Sequence, residues 1–312
     1  LVNADSLDLL REFLPPESVS LPPFTFLHPG AFFLFSERLK YERVTTASAG
    51  PILVAETSDG ATFLPLPPLP FFHEDSSPRE RGRLLAGIFA ELSHRGSSPP
   101  PFLENCPAGL LPEGPFCFEP GEREIVIASR TLLYPRGNAG RSLRWEKNRL
   151  ERLYGPVQVR RIAPGDISSV RELYRSFAGR RRSVARDDLE SCLATDMERA
   201  FDRALDPRGR ESLEGWLLEG GGRILMAGWY GRARSGRVLL AYLEARGEGV
   251  SNAGMALMRG LLQESGAGAV PGEHRVTWIN IGGGAGLGGV EHSKRIRPHD
   301  LVLPLMRVIS RG

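Results

Sequence analysis

The stretch that most limits how this chain can fold begins at residue 275. Arg275 to Ile281 alternates in character, with Val276, Thr277, Trp278, Ile279 and Ile281 β-branched or aromatic, and reads as a buried strand. It runs directly into 282–289, where seven of eight positions are Gly or Ala and six are Gly. Glycine loses more backbone entropy on ordering than any other residue. Such a run therefore marks positive φ or the close approach of another group to the main chain. Residues 290–297 then bring His292, Lys294, Arg295 and Arg297, and Pro298 ends the segment. Gly284-x-Gly286-x-x-Gly289 has the spelling of a dinucleotide fingerprint, but that fold needs a full helix, a second strand and an acidic residue further on. Pro298 and the end of the chain at Gly312 leave no room for them.

Lysine is rare. Of 40 basic residues only Lys40, Lys147 and Lys294 are lysine. A coding bias toward arginine explains the excess. Lysines that survive it are candidates for work a guanidinium cannot do, such as setting a compact ammonium against a developing negative charge.

A chain of 312 residues with 41% hydrophobic content can build a core in each of two domains. The net charge of +3 does not demand nucleic acid, although arginine-rich runs at 141–152 and 180–186 leave room for an anionic partner. Cys106, Cys117 and Cys192 are odd in number and lack metal-ligand spacing. A reducing, cytoplasmic compartment is the expectation, with peripheral attachment to a membrane allowed for. No apolar stretch is long enough to span a bilayer, and no signal peptide is read before Leu1. The six histidines contain no HxH or HExxH pair, so no metal site is expected.

Along the chain, Phe32–Phe35, Glu42–Thr46, Ile52–Glu56 and Thr62–Leu66 read as short strands. Pro78–Ser93 reads as an amphipathic helix through Leu84, Leu85, Ile88, Phe89 and Leu92. Ile125–Ile127 and Thr131–Tyr134 read as strands. Arg141–Tyr154 is a helix on which Arg141, Arg144 and Asn148 share a face: a solvated basic surface or an anion-binding one. After Gly155-Pro156 a fresh unit gives the order βααβββαβ, with strands near 157–162, 213–219, 223–230, 238–245 and 275–281. Its helices lie near 167–177, 187–205 and 252–264.

That order resembles the GNAT superfamily of acyltransferases. Its Arg/Gln-x-x-Gly-x-Gly/Ala signature is matched by Arg246-Gly247-Glu248-Gly249-Val250-Ser251, with serine in the last place. Backbone N–H groups of Gly247, Gly249, Ser251 and Asn252, at a turn opening a helix, are the candidate cofactor-binding set with Arg246. Glu248 sits poorly beside a pyrophosphate.

A closer resemblance covers nearly the whole chain: to the family related to the C-terminal domain of phosphatidylglycerol lysyltransferases, itself akin to the Fem peptidyl transferases. It rests on Leu21-Pro-Pro-Phe-Thr-Phe-Leu, on Thr62-Phe-Leu-Pro-Leu-Pro, and on Gly140-Arg141-x-x-Arg144-x-x-Lys147-Asn148. The closing block contributes Ile279-Asn280, Gly286, Gly289-Val290 and Lys294 to Pro298. Glu291 stands where the family has arginine, and Ser293 where it has alanine or phenylalanine.

The resemblance implies an α+β fold of two tandem GNAT-like domains, 1–154 and 155–312, with mixed, mostly antiparallel sheets flanked by helices. It also implies acyl transfer by direct attack, with no tightly bound cofactor and with aminoacyl-tRNA or acyl-CoA as donor. Lys294 matches the family's oxyanion-stabilising lysine, and Asn280 with the amides of 282–289 would add donors. Glu244 is the candidate base, or simply an arginine's partner. Arg141, Arg144, Lys147, Asn148 and Arg297 would hold substrate phosphates. The leading expectation is transfer from aminoacyl-tRNA to a lipid headgroup, a peptide or a small molecule. The alternatives are acyl-CoA-dependent N-acylation and a non-catalytic binding scaffold.

Overall fold

The computed structural model describes residues 12–14, 28–34, 39–57, 60–73, 76–94, 100–233, 237–250, 253–267, 276–282 and 300–311. In chain order the strands are β1 (Leu39–Thr46), β2 (Gly50–Thr57), β3 (Thr62–Leu64), β4 (Phe102–Pro107), β5 (Phe116–Ala128), β6 (Val157–Arg161), β7 (Glu214–Gly220), β8 (Arg223–Arg232), β9 (Val238–Arg246), β10 (Trp278–Asn280) and β11 (Leu301–Ser310). The helices are α1 (Pro29–Leu34), α2 (Pro78–Ser93), α3 (Ser129–Leu133), α4 (Gly137–Tyr154), α5 (Ile167–Ser183), α6 (Asp188–Leu205), α7 (Pro207–Ser212) and α8 (Ala253–Ala267). The described residues fall into two compact units. One takes those up to Glu124 together with 302–311; the other takes Ile125–Gly282 with 300–301.

In the first unit the strand order is β1-β2-β3-β4-β11-β5. Pairing is antiparallel at β1/β2, β2/β3 and β4/β11, and parallel at β3/β4. Helix α2 opens with a complete capping box, in which the Ser77 hydroxyl and the Glu80 carboxylate satisfy each other's backbone N–H. The 3.6-residue spacing then turns Leu85, Ile88, Phe89 and Leu92 into a core with Val44, Ile52, Val54, Leu64 and Leu103. Cys106 lies inside that core, and burial pushes its thiol up to about 12. It is therefore protonated and inert at neutral pH, whereas Cys117 and Cys192 are exposed. Mass spectrometry after brief alkylation of the native protein is expected to show label on Cys117 and Cys192 and none on Cys106.

In the second unit the order is β5-β10-β9-β8-β7-β6. All pairings are antiparallel except β10/β9. Each unit thus holds a mixed, mostly antiparallel sheet containing a parallel pair. Helix α8 buries Met255, Leu257, Met258, Leu261 and Leu262 against Trp216, Leu218, Leu225 and Leu239, and α4 adds Leu143 and Leu150 to this face. Beyond the β8 bulge at Leu225, Met226 and Tyr230 face this core, and successive strand residues point to opposite faces, so Trp229 looks the other way. There it meets Phe201 edge-on at 5.2 Å between centroids, and Phe201 stacks on Tyr174 at 4.9 Å.

Arg160 on β6 ties this unit's sheet margin together. Its guanidinium donates to both Asp166 oxygens at 2.6 and 2.8 Å and to Glu219 at 2.6 and 2.9 Å. The hydrogen bonds from Arg160 hold the Asp166 carboxyl below its ordinary 3.8. A depressed carboxyl contributes stability that is present above its unfolded value and lost as pH falls through the folded one. Arg160→Ala is expected to cost about 1 kcal/mol near neutrality, a figure discounted for partial exposure. The gap from wild type should narrow below about pH 4, as read from urea midpoints across pH.

Two local expectations are corrected. Residues 29–34 form a helix where Phe32–Phe35 was read as a strand, and Pro29 suits a first helical turn. Thr131–Leu133 belong to α3, not a strand, because the Asp300 carboxylate accepts the Ala128 N–H at 2.8 Å and the Thr131 hydroxyl at 3.1 Å. The division between units falls at Glu124/Ile125 rather than at Tyr154. Ile125, Ile127, Leu132, Leu143 and Leu150 all pack into the second unit's core, which accounts for that position.

Candidate functional site

In the second unit the two parallel strands pair over only the first part of β9. β10 pairs with β9 only through Trp278↔Val238, Ile279↔Leu239 and Asn280↔Leu240, whereas β9 continues to Arg246. Beyond Asn280 the chain stays with β5 instead. The Ile281 N–H donates to the Ile125 carbonyl at 2.9 Å, and the Ile125 N–H donates to the Gly282 carbonyl at 3.3 Å. Gly282 takes φ +68, which a side-chain-bearing residue adopts at a cost. Chain returns at Asp300, whose N–H donates to the Val126 carbonyl at 2.9 Å. Consecutive residues of a strand present their N–H and C=O groups to opposite edges. Gly282 and Asp300 therefore meet β5 on its two edges, at neighbouring residues.

Asn280 is fully buried. Its side-chain oxygen accepts the Gly282 N–H at 2.7 Å, a local turn that bends the chain away from β9. This corrects one expectation: the Gly282 amide is already bonded and does not face a ligand. Asn280→Leu would leave that buried N–H unsatisfied, and a stability loss of about 1–3 kcal/mol is expected in denaturant titrations.

Glu244 lies on the part of β9 that extends past β10. It is half-buried, and the Tyr230 hydroxyl donates to it at 3.4 Å. Its neighbour is thus a phenol as well as the strand Gly228 sits on, opposite it in the ladder.

At the end of β9, Arg246 is exposed, and its carbonyl accepts from Arg180 at 2.8 Å. The following turn closes with the Val250 N–H donating to the Gly247 carbonyl at 3.3 Å, and Gly249 takes φ +71 at its third position. That is the conformation a type II turn demands of glycine. The Gly247 N–H donates to the Leu225 carbonyl at 2.9 Å. The Gly247 amide of the expected phosphate cradle is therefore occupied within the fold, as is the Val250 amide of the same turn. Tyr154, the last residue of α4, lies alongside: a methyl group at Gly249 would sit 4.0 Å from its hydroxyl.

Arg141, Arg144, Lys147 and Asn148 are exposed along α4, whose other side is seated on the core by Leu143 and Leu150. Lys147 is ion-paired to Glu151 at 3.5 Å. Lys294, Arg297, Ser251 and Asn252 lie outside the described residues. Among those that are described, Glu244 and Arg246 lie on β9, Gly247 and Gly249 lie in the turn that follows it beside Tyr154 of α4, and Asn280 lies on β10 opposite Leu240. Sequence reasoning missed Arg180, Tyr230 and Asp300. Arg180 stood within a visible arginine run, but the contacts of Asp300 with residues near 128 span most of the chain and leave no local signal. Among the described residues no cluster could hold a metal ion, and no helix is long and apolar enough to cross a membrane.

The architecture is α+β, with two units that each hold a mixed, mostly antiparallel sheet flanked by helices, and solved structures share it. A conserved protein of unknown function from Bacteroides thetaiotaomicron superposes with a TM-score of 0.70 at 13% identity, covering 99% of this chain and 98% of that one. L-PGS from Bacillus licheniformis gives 0.57 at 13% identity, covering 99% and 92%. FemX gives 0.54 at 10% identity, covering 97% and 96%. The chain is thus similar in fold, over nearly its whole length, to the Fem-like proteins that its sequence resembles. No protein-family model matches the sequence, and no curated protein matches it.

Proposed function

We propose that the chain is an aminoacyltransferase, taking an aminoacyl group from aminoacyl-tRNA and delivering it to an amine or hydroxyl of a lipid headgroup, peptide or small molecule. The observation that carries this reading is the parting of β9 from β10 at Asn280, with Glu244 on the stretch of β9 that extends beyond it. Likeness in fold to FemX and L-PGS supports it. In this reading the acceptor's nucleophile attacks the ester carbonyl directly, and Glu244 takes its proton. Lys294 neutralises the tetrahedral oxyanion, and the tRNA leaves as its free hydroxyl. Holding donor and acceptor in one groove supplies most of the rate. Arg141, Arg144, Lys147 and Arg297 hold phosphates.

The acyl-CoA alternative draws on the turn after Arg246, yet two of that turn's amides are bonded within the fold and Glu248 is exposed there. The donor is tested by incubating the protein with radiolabelled aminoacyl-tRNA, or with labelled acetyl-CoA, in the presence of a membrane and small-amine extract. Label leaving the tRNA for an extractable product supports the proposal. Label moving only from acetyl-CoA replaces it with N-acylation, and movement from neither leaves a binding scaffold.

A further inference from the structure

The outward face of α4 carries an aromatic ring among its cations. Trp145 is 52% exposed, unusual for a residue with so much apolar surface, while the helix has already seated Leu143 and Leu150 in the core. At helical spacing Trp145 is bracketed by Arg141 one turn before it, Asn148 and Arg149 one turn after, and Arg152 two turns after. The Arg149 guanidinium lies over the indole at 5.4 Å from the ring centroid. That contact covers one side of the ring and holds its orientation. Among the described residues, Lys147 alone of the helix's five cations meets a carboxylate.

We propose that this face is a docking platform for the unpaired 3′ end of an RNA. Trp145 stacks a base on the side of the ring that Arg149 leaves open, and Arg141, Arg144 and Arg152 take the flanking phosphates. Charge selects a polyanion, and the aromatic ring selects one with unpaired bases, because base stacking needs a π-face that a duplex does not present. A guanidinium held over the indole also keeps the ring at the surface, which disfavours burying it among lipid tails. Position agrees as well. Nine residues of helix separate Trp145 from Tyr154, beside the turn that ends β9, or about 14 Å at the helical rise. Two or three nucleotides span that distance. The inference rests on the aminoacyl-tRNA reading and adds where the RNA is gripped and by which feature.

The test measures the affinity of the full chain for a labelled short single-stranded oligoribonucleotide, for the same sequence as a duplex, and for vesicles of phosphatidylcholine with phosphatidylglycerol. Wild type, Trp145→Ala, Trp145→Phe and Arg144→Ala are compared over a salt series. The platform predicts that Trp145→Ala weakens the single strand about tenfold or more at unchanged salt slope, with little effect on the duplex. Trp145→Phe should restore most of that loss. Arg144→Ala should weaken both RNAs and lower the salt slope by about one phosphate. Equal single-strand affinity in wild type and Trp145→Ala overturns the proposal, and so does Trp145-dependent binding confined to vesicles. Single-strand binding through Trp145 without any aminoacyl transfer would leave the platform standing and remove the transferase reading. Transfer that proceeds while Trp145→Ala binds RNA as wild type does would do the reverse.

Discussion

Lys294→Ala is expected to slow aminoacyl transfer by a factor of about 10²–10³ while tRNA affinity stays close to wild type. The reasoning starts from where charge appears. Attack on an ester carbonyl places a full negative charge on one oxygen only in the transition state, so a cation aimed there lowers the barrier without tightening substrate binding. Single-turnover rates at saturating aminoacyl-tRNA, beside equilibrium binding of the same tRNA, separate the two effects. Lys294→Arg is expected to be impaired as well. A guanidinium is planar and wide and cannot bring a compact charge to the place an ammonium reaches. Full activity in Lys294→Arg would remove the argument from lysine scarcity, although the fold would be untouched.

The second large effect is on stability, at Gly260. A Cβ at this position of α8 would lie 2.3 Å from Cγ2 and 2.6 Å from Cβ of Val159, on the strand β6 beneath. The second of those atoms is fixed by the strand backbone, so helix and strand must separate. Overpacking of this kind costs about 1–3 kcal/mol, and Gly260→Val should reach the upper end. Val159→Ala should return part of the loss when combined with it, because the two residues meet directly. Thermal or urea unfolding of the two single variants and the double variant measures the coupling. Simple additivity would mean that α8 does not press on β6 at this point. Helix α8 begins just after the turn that ends β9, so the same substitution should also weaken donor binding.

Much of this architecture was legible from the chain. Leu85, Ile88, Phe89 and Leu92 announce α2 by their spacing, and the alternation from Leu213 to Ala245 announces three strands, because a face turned to the core leaves a periodic trace. Less legible was whatever depends on distant partners. Thr131–Leu133 has the β-branched and apolar composition of a strand, yet it is helical, and Asp300, far along the chain, accepts the Ala128 N–H and the Thr131 hydroxyl where the helix starts. β11 was not read at all, because it follows a proline-stopped basic segment and its burial comes from β4. The glycines at 249 and 282 were legible as turn positions and do take positive φ. What sequence could not reveal is that the neighbouring amides are spent inside the fold, since that is decided by the carbonyl of Leu225 and the side chain of Asn280.

The proposed reaction needs the Lys294 ammonium to meet the developing oxyanion. The most direct measurement is a crystal structure of the chain bound to a non-hydrolysable analogue of an aminoacylated tRNA 3′ end, with a tetrahedral phosphonate in place of the ester carbon. The account predicts Lys294 Nζ about 3 Å from a phosphonate oxygen, with Glu244 on the acceptor side of the phosphorus. A phosphonate bound away from β9, or a Lys294 side chain directed into bulk water, would contradict it.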